Sequence, residues 1–123
     1  MPAFLAPALL LFGGPLPGPG PSATAAPKAP AVLKGTVAPK QEVAWTVTVT
    51  AGKEARLHVV KGGREVNVDV LDPQGLAANE GVADGDPFPV VRGAYRVLIA
   101  NTTALGAKAA GRPVAYEVRI EIR

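Results

Sequence analysis

The chain has 123 residues, with thirteen basic and ten acidic side chains, a net charge of +3 and no cysteine. That length holds one domain with extensions. Without cysteine there is no disulfide, no thiolate metal centre, no thiol catalysis and no lipid anchor on an N-terminal cysteine. The cations form no block, because Arg56, Arg96, Arg119 and Arg123 alternate with apolar neighbours in different segments. Such spacing describes solvated strand faces rather than a nucleic-acid footprint, so no nucleic-acid partner is expected.

No charged side chain precedes Lys28. Phe4 to Phe12 is an apolar run too short to span a bilayer, and small residues and prolines follow it, the layout of a secretory signal peptide. Ala23-Thr24-Ala25 fits the small-x-small cleavage rule and would start the mature chain at Ala26. The basic residue that usually opens such a peptide is missing, and a disordered Pro/Gly/Ala leader explains the run Gly13 to Pro21 equally well. On either reading the segment up to about Pro30 stays outside the fold. The expected organisation is a signal-peptide-like segment over 1–25, a flexible linker over 26–31 and a β domain over 32–123.

From there the chain alternates apolar and polar residues in runs closed by turn signals, the two-residue period of half-buried strands. Strands are expected at Val32 to Val37, Val43 to Thr50, Ala55 to Val60, Glu65 to Leu71, Leu76 to Asn79, Tyr95 to Ala100 and Val114 to Ile122. The glycine pair Gly62-Gly63 permits a hairpin between the third and fourth. Helical periodicity is weak throughout, and Thr103 to Ala110 reads as a loop. In the last strand Tyr116, Val118, Ile120 and Ile122 share one face, while Glu117, Arg119, Glu121 and Arg123 share the other. Short strands at this spacing predict an all-β, jelly-roll-like antiparallel β-sandwich of about seven to eight strands, with Trp45 the largest member of its core.

The order of these features resembles the bacterial pre-peptidase C-terminal domain family. The resemblance is carried by Gly35-Thr36-Val37, Trp45 to Val49 with Ala51-Gly52, Val66 to Gly75, Gly93 to Ile99 and Ala115 to Val118. It implies a jelly-roll-like sandwich, not itself catalytic, of the kind appended to secreted peptidases and other exported enzymes. This chain departs from the pattern in having no room for an attached enzyme. It also lacks, before its first strand, the carboxylates with which collagen-binding relatives hold calcium.

Residues for chemistry are few. Ser22 is the only serine and His58 the only histidine, so a Ser-His-Asp triad has no separate components, and His58 falls on the polar face of its strand. Asp69, Asp72, Asp84 and Asp86, with Asn79 and Glu80, are dense enough in oxygen to suit calcium, the one cofactor worth considering. Against that, Asp72 before Pro73 is also a turn initiator, and the others suit a solvated loop. Asn101-Thr102-Thr103 matches the glycosylation acceptor pattern. Phe88, between Pro87 and Pro89, reads either as an exposed anchor or as a plug over the sandwich.

The sequence therefore points to a non-catalytic, secreted or periplasmic binding or accessory module with a protein or glycan partner and no membrane span. The alternative is a chaperone- or inhibitor-like partner of a separately encoded exported peptidase. The candidate surface is a loop-bearing end formed by Asp72 to Val91 and Asn101 to Pro113.

Overall fold

The computed structural model describes residues 20–79, 85–104 and 110–123. Among them nine strands form two sheets: β1 (Ser22–Ala25), β2 (Ala31–Val37), β3 (Glu42–Val49), β4 (Glu54–Lys61), β5 (Val66–Leu71), β6 (Ala77–Asn79), β7 (Pro87–Pro89), β8 (Gly93–Asn101) and β9 (Val114–Ile122). One sheet runs β1-β3-β8-β5-β6 and the other β2-β9-β4-β7. Every pairing is antiparallel except that of β1 with β3. The expected sandwich is the fold.

Alternation does what the sequence says it should. Val66, Val68 and Val70 of β5, Tyr95, Val97 and Ile99 of β8, and Val114, Tyr116, Val118, Ile120 and Ile122 of β9 are all buried. The longest strands, β8 and β9, take the interior of their sheets, β8 between β3 and β5 and β9 between β2 and β4. Two inward rows meet there, and Leu33, Leu57, Val97, Ile99 and Val118 have no exposed surface at all. Closing the sheets face to face removes this apolar area from water, which is the main stabilising term of the fold.

Three expectations are corrected. First, residues 21–29 are part of the fold: β1 lies along β3, with the Thr46 N–H donating to the Pro21 carbonyl at 3.0 Å and the Thr50 N–H to the Ala25 carbonyl at 3.1 Å. Ala25 is fully buried. Ser-Ala-Thr-Ala has neither bulk nor clear alternation, so nothing local marks it as a strand. What places it is the outer edge of β3, whose backbone groups need partners. Cleavage after Ala25 would remove this strand. The stretch expected as a flexible linker holds a closed turn, in which Ala26 and Ala29 exchange backbone bonds of 3.0 and 2.9 Å.

Second, the loop around Phe88 contains β7, paired with β4 through Phe88 and Ala55. Val90 donates to the Lys53 carbonyl at 3.0 Å, and two-residue alternation then turns the backbone of Phe88 toward β4 and that of Pro87 and Pro89 outward. Proline has no N–H to leave open on that edge, so the motif blunts it. Phe88 itself is buried in the core, as the plug reading requires.

Third, Trp45 is only partly buried and packs against the core rather than within it. Its indole N–H reaches across to the Tyr116 hydroxyl of the opposite sheet at 2.9 Å, and that polar tip keeps it near the sandwich margin.

Candidate binding cleft

The two loops expected to share one end lie at opposite ends. They are joined by the nine residues of β8, and a strand of that length spans about 30 Å. The end at the start of β8 carries the Asp72 to Leu76 turn and the Val90 to Arg92 loop. The other end carries Thr102 to Pro113, of which residues 105–109 lie outside the described set.

At the first end an open cleft of about 610 Å³ separates the β5–β6 turn from the β7–β8 loop, and is lined by Asp72, Pro73, Ala77, Val91, Arg92 and Tyr95 among others. One wall is fixed by Asp72, whose Oδ1 accepts the N–H groups of Gln74 and Leu76, both at 2.9 Å. The Gly75 N–H adds a bond of 2.9 Å to the Asp72 carbonyl, with Gly75 at φ 85°. This is an Asx-type turn, in which the short carboxylate stands in for a backbone acceptor. Pro73 then packs so closely on Gly93 that a Cβ there would lie 2.7 Å from its Cγ.

The other wall is fixed by Tyr95. Its ring is buried, and its hydroxyl accepts the Val91 N–H at 2.9 Å. Val90 turns inward while Val91 stands out with 63% of its surface exposed, and Leu76 at the end of the Asp72 turn is 64% exposed. Arg92 is exposed on this loop and Lys53, whose carbonyl accepts the Val90 N–H, is exposed beside it, whereas Lys28 and Arg123 line a separate cleft with Glu121. The Asp72 carboxylate keeps its negative charge while it accepts the two amides, so the rim combines apolar tips with two cations and one anion. That arrangement suits recognition of an acidic protein surface.

The described residues considered for calcium each have a separate setting. Asp69 lies on the polar face of β5, where its Oδ2 accepts from the Asn67 amide at 3.2 Å. Asp72 serves the turn, Asp86 is exposed beside β7, and Asp84 and Glu80 lie outside the described residues. Among the described residues no three His, Cys, Asp or Glu side chains come together as a metal site. His58 sits on the outer face of the four-stranded sheet, its Nε2 3.2 Å from Glu121 Oε1, next to the ion pair of Lys34 and Glu117 at 3.8 Å.

The Asn101-Thr102-Thr103 motif is internal structure. Asn101 is 6% exposed, and its Nδ2 donates to the carbonyls of Val37 at 2.8 Å and Arg112 at 2.7 Å. Its Oδ1 accepts the Thr103 N–H at 2.8 Å and the Thr103 hydroxyl at 2.6 Å. All four hydrogen-bonding places of the amide are filled, so the nitrogen a glycan would need is engaged. Sequence reasoning missed this clasp, whose Val37 arm joins the two sheets, and the tether from Tyr95 to Val91, a bond over four residues that no sequence motif marks.

No family model matches the chain, and none of the curated proteins matches it. Among solved structures it is similar to the periplasmic lysozyme inhibitor of g-type lysozyme from Aeromonas hydrophila, at 20% identity and a TM-score of 0.60 over 84% of this chain and 98% of that one. It is similar also to the Salmonella Typhimurium inhibitor of the same description, at 14% identity and a TM-score of 0.59 over 85% of this chain and all of that one. At these identities the likeness is one of fold. Among the described residues no helix is long and apolar enough to cross a membrane.

Proposed function

We propose that this chain is a non-catalytic, periplasmic or secreted binding module that inhibits a lysozyme-type glycosidase by docking the cleft end of the sandwich onto it. The observation that carries the reading is the Tyr95-tethered loop, which presents Val91 and Arg92 at the rim of a preformed cleft. Glycosidases of this class hydrolyse their substrate between paired carboxylates, and an exposed cationic loop on a rigid frame complements such a groove. Rigid presentation limits the ordering cost of docking. The likeness to two inhibitors supports the reading at the level of fold.

The test is turbidimetric lysis of a peptidoglycan suspension by a g-type lysozyme, with this chain added in stoichiometric excess. Inhibition by the wild-type chain, weakened at least tenfold in Arg92→Glu at unchanged melting temperature, is the expected result. If the wild-type chain leaves the lysis rate unchanged, the reading fails. If Arg92→Glu inhibits as well as wild type, the cleft end is not the docking surface.

A further inference from the structure

The strand β1 differs from the rest of the molecule in three ways. It is the only parallel strand among those described, it consists of four small residues, and its connection to β2 is strained. In the turn Ala26-Pro27-Lys28-Ala29 the Ala29 N–H donates to the Ala26 carbonyl at 2.9 Å. Pro27 fixes a negative φ at the first central position, and Lys28 has φ 66° at the second. That is a type II turn, whose second central position calls for glycine. A lysine there carries the steric penalty of the left-handed region.

Sequence around the turn favours opening it. Ala26 precedes Pro27 and Ala29 precedes Pro30, and a residue before proline is biased toward extended backbone. An opened hinge over residues 26–30 is therefore a short proline-rich extended segment, free of the Lys28 strain. The grip of β1 on its own sheet comes mainly from backbone bonds to β3, which another copy of the same strand supplies identically. Strained short hinges beside a self-complementary element are the setting for strand exchange.

We propose that β1 is an exchangeable strand, and that two copies of this chain form a symmetric dimer in which Ser22–Ala25 of each lies along β3 of the other. This is independent of the inhibitor reading, because β1 occupies the edge of the five-stranded sheet opposite β6 and the cleft.

The experiment uses the full chain, expressed without export so that residues 1–25 are retained. Its mass in solution is followed by light scattering up to millimolar concentration, with a reversible dimer expected. Lys28→Gly should raise the dimer dissociation constant roughly twenty-five-fold, the square of a roughly fivefold relief at each of two hinges. Thr24 and Thr48 are register partners and both exposed, and the chain has no cysteine of its own. Oxidised Thr24→Cys/Thr48→Cys dimer should therefore run as a covalent dimer on a denaturing non-reducing gel, and oxidised monomer as a monomer. A dimer whose disulfides are all intramolecular overturns the proposal, as does a chain that stays monomeric throughout.

Discussion

The indole N–H of Trp45 donates to the hydroxyl of Tyr116 at 2.9 Å, joining β3 of one sheet to β9 of the other. The Tyr116 ring lies over Gly35, where an added Cβ would stand 2.6 Å from the hydroxyl oxygen. The absent side chain at Gly35 is thus the space that lets the tyrosine reach the tryptophan. Tyr116→Phe should cost about 1 kcal/mol, the worth of one hydrogen bond from a partly buried donor. Gly35→Ala should cost about 1–3 kcal/mol by overpacking. Urea titrations of both single variants and the double variant check this. The two costs should be non-additive because the variants disturb one contact, and Trp45 fluorescence should shift in both.

Asn101 clasps the far end by holding the Val37 and Arg112 carbonyls and the Thr103 backbone together. Asn101→Ala leaves these groups without their buried partner and should lower stability by about 2–3 kcal/mol. Asn101→Asp should be worse at neutral pH, since it sets a carboxylate against two carbonyl oxygens and removes the only donors. Denaturant midpoints of the two variants decide the order, and an Asp variant more stable than the Ala variant would contradict the assignment.

Tyr95→Phe separates the tether from the core. The ring stays, so the stability loss should be about 1 kcal/mol or less. The Val91 N–H loses its acceptor and the loop its fixed form, so inhibition of a lysozyme should weaken about tenfold. Melting temperature and inhibition constant, measured on one preparation, check both halves. A large stability loss with unchanged inhibition would place the recognition elsewhere.

For Asp72 the expectation concerns both the turn and calcium. Asp72→Ala removes the acceptor for two backbone amides and should cost about 1–2 kcal/mol, whereas Asp72→Asn keeps an acceptor oxygen and should recover most of it. With its Oδ1 already committed, the carboxylate is poorly placed to anchor calcium. The melting temperature should therefore be the same in excess calcium and in chelator, because a ligand of the folded state alone would raise it.

The two-residue period by itself determined most of the β architecture. β5 and β9 are legible as strands because their faces differ at most steps, and burial of one face and solvation of the other is a local property of the residues. The Asp72 turn was legible for the same reason, since the side chain bonds to amides two and four residues on.

Tertiary structure decided everything that depends on which strand lies beside which. β1 is a strand only because the edge of β3 accepts it, and β7 only because β4 does. The separation of the two loop clusters follows from the course of β8 between them, and the Asn101 clasp reaches Val37 of the other sheet, a group it meets only once the sheets have closed. Local alternation fixes the face each side chain seeks, whereas neighbours in space fix which backbone groups and polar atoms find partners. The candidate binding end, made of loops rather than strands, depends on the second of these.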